Sequence, residues 1–129
     1  MGAALARFEP FAYPALRIVA GFLFAFHGLQ KFGLLGSEAV PPMSLRGLAA
    51  VIELFGGGLL MVGFQTVPTA FIASGEMGVA YFMAHQPRAP WPIQNGGELA
   101  ALYCFLFLFI ATRGAGRLSL DGGKGRGKR

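Results

Sequence analysis

The sequence predicts an all-α fold: an integral membrane four-helix bundle with N- and C-termini cytoplasmic. Three observations predict it. Of 129 residues, 54% are hydrophobic and only 13% charged, with a mean hydropathy of +0.55; a soluble domain carries roughly 25% charged residues. Four apolar stretches approach the length of about 20 residues that a helix needs to cross a bilayer. Lys and Arg divide unevenly between the two ends of those stretches, and this division sets orientation.

The first span is expected over about 11–35, "FAYPALRIVAGFLFAFHGLQKFGLL", and the second over about 45–64, "LRGLAAVIELFGGGLLMVGF". "QTVP" then leads directly into a third span over about 66–85, "TVPTAFIASGEMGVAYFMAH", so spans two and three form a tight antiparallel hairpin. The connection "QPRAPWPIQN" holds three prolines and cannot be helical throughout; Trp91 within it suits a lipid–water interface. The fourth span is expected over about 95–113, "NGGELAALYCFLFLFIATR". Arg7, Arg17 and the basic residues from Arg113 to Arg129 fall on one side. Lys31, Arg46 and Arg88, with Glu38, fall on the other. The positive-inside rule then places both termini in the cytoplasm of a multi-pass cell-membrane protein. Arg17 and Lys31 are expected to snorkel to opposite surfaces. Residues 1–118 form one domain, and 119–129 read as a basic, Gly-rich flexible tail. No Ala-x-Ala site follows a short apolar core, so the first span does not read as a cleaved signal peptide.

Composition also excludes several classes. The net charge of +5 is concentrated in "GGKGRGKR", with no folded basic face, so no nucleic-acid partner is expected; contact with anionic lipid heads is the simpler use of that tail. The single cysteine, Cys104, rules out a disulfide within the chain and a thiolate metal cluster.

The polar residues inside the spans form a layer. Glu76 lies about nine residues from the outer end of span three, roughly 14 Å deep, and Glu53 roughly 12 Å below the outer end of span two. His27 and Lys31 close span one, Glu98 opens span four, and His85 ends span three. Helical spacing puts Glu53 on a face with Arg46, Ala49, Ala50, Gly57 and Leu60, and Glu76 on one with Thr69, Ile72, Ala73, Ala80 and Met83. Small residues on these faces suit close helix packing, so both acids are expected to face the bundle interior. A charge there costs several kcal/mol unless it is paired or protonated, and His27 and Lys31 are the expected partners across the bundle. Buried acids also serve as interhelical glue, and Tyr81 and Tyr103 read as packing residues.

Sharper chemistry is constrained by spacing. Axial haem ligation would need both histidines, the only two in the chain, and no further motif supports it. A di-iron carboxylate site wants Glu-x-x-His pairs, but Gly56, Val79 and Ala101 stand three residues after the acids. A quinone pocket needs an apolar cleft, aromatic walls and a protonatable group, which the 13 phenylalanines and the polar layer allow. A short repeat, "GEMGVAY" and "GELAALY", links spans three and four.

Taken together, several segments resemble the DoxX family of small four-helix membrane proteins. "LRIVAGFLFAFHGLQKFG" is similar to its first helix, "VIELFGGGLLMVGFQTVPTA" to its second helix and hairpin turn, "HQPRAPWPIQNGGELAALY" to its outer loop and last helix, and "GRLSLD" to its ending. The resemblance implies the four-helix fold and an association with membrane redox, through quinone-linked or thiol and oxidative-stress assemblies. It carries over His27, Lys31, Glu53, Glu76 and Glu98 as ligand-binding positions, none with a catalytic role. One reading is a redox-linked subunit binding quinone and partner redox proteins. A second is a non-catalytic scaffold, and a third a small transporter or proton pathway, for which a homodimer would supply eight spans. With one cysteine, thiol chemistry would need a partner.

Overall fold

The computed structural model describes residues 1–122, and these contain helices and no strand. A short α1 (Gly2–Ala6) precedes four longer helices: α2 (Glu9–Lys31), α3 (Leu45–Val62), α4 (Thr66–Ala80) and, after a one-turn α5 (Pro92–Asn95), α6 (Glu98–Arg113). Two of them, α2 and α3, are long and apolar enough to cross a membrane. At 23 residues, α2 is about 34 Å long. The expected third span continues past Ala80 as a π-helical turn, Tyr81–His85, and a 3-10 turn, Gln86–Arg88. The fourth starts at Glu98 rather than 95, because Gly96 takes a positive φ of 71° that ends α5. The first ends at Lys31 and the second at Val62, each a few residues short of the sequence expectation.

Helix α2 lies against α3, α3 against α4, and α4 against α6. Side chains close the ring between α6 and α2: the Phe24 ring packs on Phe107 at 4.7 Å and on Tyr103 at 5.7 Å. Phe24, Leu60, Ala70, Ala73, Phe107 and Ile110 are wholly buried in this common core. Helices α2 and α3 meet at glycines. A Cβ on Gly57 would fall 2.5 Å from the Gly21 carbonyl oxygen, and one on Gly28 would fall 2.5 Å from the Leu54 amide. Close backbone approach of this kind needs small residues at the contact. Phe55, Phe71, Phe82, Leu102 and Phe105 point outward, which gives the outer surface an apolar character suited to lipid.

The helix ends are capped by local and remote groups. Ser44 accepts from the Gly47 amide at 3.1 Å and starts α3. No side chain of its own caps α4. Instead the Asp121 carboxylate accepts from the amides of Gln65 (3.1 Å) and Thr66 (2.8 Å), a negative group at a helix N-terminus. The amides of Leu120 and Asp121 donate to the carbonyls of Val62 and Gly63. Residues 119–122, read from sequence as the start of the tail, are thus seated on the α3–α4 turn. The remainder, 123–129, lies outside the described residues.

Arg17 corrects the sequence expectation. It does not snorkel; it is fully buried. Its guanidinium donates to the carbonyls of Ala115 (2.9 Å), Met61 (2.9 Å), Leu118 (2.7 Å), Arg117 (3.4 Å) and Leu60. These carbonyls sit where α3 ends and where the chain leaves α6, so one cation gathers α2, α3 and the C-terminal segment. The five fixed donors of guanidinium suit such a fan of acceptors. Arg17→Met should lower stability by about 3 kcal/mol, because it leaves several carbonyls without donors. It should also release the C-terminal segment. A thermal melt in detergent and protease cutting between residues 113 and 121 read the two effects; a melt and cleavage pattern like those of the parent would remove Arg17 as the clamp.

Candidate functional site

The α2–α3 contact that glycines permit also aligns the ends of those helices. Lys31, at the last turn of α2, forms an ion pair with Oε1 of Glu53, two turns into α3. The pair is uneven in exposure: Glu53 is 1% exposed and Lys31 25%. The carboxylate is therefore the buried partner, and the ammonium reaches in from the helix end to meet it, rather than snorkelling outward as the sequence suggested. Glu53, Ala50, Gly57 and Leu60 all fall on the buried face, as their spacing predicts, whereas Ala49 is half-buried and Arg46, nearer the helix start, is exposed.

Three further groups surround the pair. His27 and Glu76 lie within electrostatic reach of Glu53, and Glu76 also of Lys31. Tyr103 of α6 is buried, within reach of Glu53, and its ring meets the His27 ring edge-on at 6.2 Å. Tyr103 also stacks on Phe107 at 5.1 Å, which fixes its direction. The layer therefore draws one or two residues from each of α2, α3, α4 and α6. Among the described residues, Glu53 Oε2, Glu76 Oε2 and the Tyr103 hydroxyl are buried with no hydrogen-bond partner, and so is Thr66 Oγ1 at the start of α4. Buried polar atoms in proteins are nearly always partnered, and three of these four fall in one layer.

The five sequence candidates separate here. His27, Lys31, Glu53 and Glu76 come together. Glu98 does not: it is exposed in the first turn of α6. Glu76 is also less interior than its spacing implied. The buried face of α4 is Thr66, Ala70, Ala73, Ser74 and Met77, while Ile72 and Met83 are exposed. Glu76 sits on the flank of that face, half-buried. Tyr103 is the residue that sequence reading treats only as packing. Its polar tip was the available signal, since a buried tyrosine hydroxyl ordinarily finds a partner.

A second polar cluster holds the loop above this layer. Asn95 is buried. Its Nδ2 donates to the Ala89 carbonyl at 3.1 Å and to the Tyr81 hydroxyl at 3.3 Å, and its Oδ1 accepts from the Gly97 amide at 2.8 Å. His85 Nδ1 lies 3.2 Å from the Asn95 carbonyl. His85 and Tyr81 thus serve the π turn and loop rather than the acid layer. Cys104 is half-buried between α6 and α4, with Sγ 3.8 Å from the Ser74 hydroxyl. Two surface clefts, of about 500 and 270 Å³, lie along residues 42–51 and beside Glu9 and Arg113; no member of the acid layer lines either.

A family model, DoxX, matches residues 13–86. The chain belongs to the DoxX family. DoxX proteins are membrane proteins, so a bilayer is the environment of the exposed phenylalanines and leucines. The matched stretch contains His27, Lys31, Glu53 and Glu76, whereas Glu98 and Tyr103 follow it. The chain is also similar to an uncharacterized protein of Haemophilus influenzae, with 39% identity over 125 residues that cover 91% of this chain and 93% of that one. No solved structure matches.

The ion pair makes a direct energetic prediction. Lys31→Met alone leaves the Glu53 carboxylate buried without its cation and should destabilise by about 3–5 kcal/mol. Adding Glu53→Leu to it should recover most of that loss. Equal destabilisation by the single and double variants, measured by unfolding in detergent, would show that the pair is not coupled.

Proposed function

We propose that this DoxX-family chain is a subunit of a membrane redox assembly, binding a quinone at the His27–Lys31–Glu53–Glu76 layer. In this reading α2, α3, α4 and α6 all cross the bilayer, both termini are cytoplasmic, and the layer lies in the outer half of the membrane. The carrying observation is the set of three buried polar atoms that no protein group satisfies. Acids acting as interhelical glue would be bonded to the neighbouring helix. Among the described residues Glu53 Oε1 alone is, through Lys31, and the other oxygens remain for a ligand, as acceptors for the hydroxyls of its reduced, quinol form.

The residues fit such a group chemically. Bound quinone supplies a two-electron, two-proton couple. The Tyr103 hydroxyl and the Lys31 ammonium are donors suited to a carbonyl oxygen. Glu76, half-buried, is placed to take or give a proton between the layer and the outside, and His27, also half-buried, to hydrogen-bond a carbonyl oxygen. The Lys31–Glu53 pair holds one carboxylate fixed, so the Glu76 carboxyl is the group free to change protonation. Phe24, Tyr103 and Phe107 offer aromatic walls. In this reading a headgroup reaches the layer from the lipid side, past Glu76 and His27, its two half-buried acid–base members. Electrons come from a partner redox protein. Glu98 is omitted from this site because it is exposed.

The protein purified in mild detergent from its own membranes should carry quinone near one per chain, identified by mass spectrometry. Glu76→Gln should retain its melting temperature and lose most of the quinone. Absence of quinone from both samples would instead favour a non-catalytic scaffold, with the acids contributing to stability alone.

A further inference from the structure

A second feature lies at the opposite end of the molecule from the acid layer. There the first turns of α2 meet the segment that follows α6. Glu9 pairs with Arg113, and the Tyr13 hydroxyl donates to the Gly114 carbonyl at 2.5 Å. Between these elements runs the cleft of about 270 Å³, lined by Pro10, Tyr13, Pro14, Gly116, Arg113 and Arg117, with Glu9 at its edge. The Arg113 guanidinium rests on the Tyr13 ring at 4.4 Å, and that of Arg117 faces the Phe11 ring at 6.0 Å. Cation–π contacts of this kind hold a guanidinium in place while leaving its N–H edge open. Arg117 makes no ion pair among the described residues, and Glu9 engages only one edge of Arg113. Two cations therefore face the cleft against one carboxylate. Arg7, over the Phe8 ring at 4.7 Å, adds positive charge at the same end. Phe8 and Phe11 are about half exposed beside it, apolar groups next to cations.

We infer that this cleft binds the phosphodiester headgroup of an anionic phospholipid, with Arg113 and Arg117 on the phosphate and Phe8 and Phe11 against the acyl chains. The argument is charge complementarity at a membrane interface: basic pockets at the cytoplasmic ends of membrane helices take anionic lipid heads, and guanidinium matches phosphate oxygens two at a time. Gly116 shapes the cleft. It has a positive φ of 70°, and a Cβ there would lie 2.8 Å from the Tyr13 ring, so the chain passes close to the aromatic floor. The inference depends on the bilayer placement proposed above, but not on the acid layer or on quinone.

Native mass spectrometry of the full chain in detergent, with phosphatidylglycerol or phosphatidylcholine added, tests this site. One phosphatidylglycerol should bind saturably, and phosphatidylcholine far more weakly. Arg113→Gln with Arg117→Gln should weaken phosphatidylglycerol by about tenfold or more, the loss of charged hydrogen bonds. Replacing Lys124, Arg126, Lys128 and Arg129 with Gln should leave this saturable binding in place. Glu9→Gln removes the opposing carboxylate and should tighten binding, an outcome that misfolding would not produce. Equal binding of the two lipids, unchanged binding in the arginine double variant, or loss on replacing the tail residues alone would overturn the inference. So would Glu9→Gln binding no more tightly than the parent. Displacement of the lipid by millimolar inorganic phosphate would reassign the cleft to a soluble anion. Loss of quinone without loss of lipid selectivity would count only against the redox reading.

Discussion

A charge inside a membrane protein must find its partner within the protein, because the surrounding lipid offers none. This constraint organises both ends of the structure. At one end Arg17 is completely enclosed and distributes its donors over five carbonyls from α3 and the C-terminal segment. At the other, Lys31 reaches back to a carboxylate that has almost no exposure. Both cations belong to α2, so this helix ties α3 to the rest of the molecule at its two ends. Between them the glycine contacts at Gly21, Gly28 and Gly57 bring the two backbones together. That close approach holds the α3 acceptors, Leu60, Met61 and Glu53, within reach of the two cations.

The two ends nevertheless differ in kind. The Arg17 fan is satisfied: Leu60 and Met61 offer carbonyls that the end of α3 would otherwise leave unpaired, and Ala115, Arg117 and Leu118 offer those of the segment after α6. Asp121 does the complementary job, accepting from the open amides at the start of α4. Together they fold the segment after α6 onto the α3–α4 turn, giving that end a structural role. The Lys31 end is incompletely satisfied. One carboxylate oxygen is paired, while Glu53 Oε2, Glu76 Oε2 and the Tyr103 hydroxyl are not. Of the four buried side-chain atoms without a partner among the described residues, these three share one layer, and the fourth is Thr66 Oγ1 at the Arg17 end.

The helical class, the order of the longer helices and the pairing of Glu53 with a cation of the first span were legible in the sequence. They rest on local periodicity and on one strong rule, that an interior acid needs a countercharge. The buried face of α3 followed from spacing alone, since Ala50, Glu53, Gly57 and Leu60 repeat at helical intervals. The face of α4 did not. Its small residues surround the helix, so spacing could not distinguish a central Glu76 from one on the flank. Arg17 was misread because its position near the end of a span permits snorkelling as readily as burial. The choice between them was made by carbonyls about 45 and 100 residues away in sequence. Tyr103 was missed for a similar reason: its nearness to Glu53 depends on how α6 packs relative to α2 and α3, which no single helix encodes. Glu98 shows the converse, a motif residue whose place at an exposed helix start separates it from the layer.

In the proposed site a ligand enters the acid layer past Glu76. Dicyclohexylcarbodiimide tests it most directly, since this apolar reagent attacks protonated carboxyls within membranes and the modified residue can be located by peptide mass spectrometry. Glu76 should be labelled in the detergent-solubilised protein, and a short-chain quinone should slow that labelling several-fold while leaving Glu98 unaffected. Labelling of Glu76 at the same rate with and without quinone would contradict the claim.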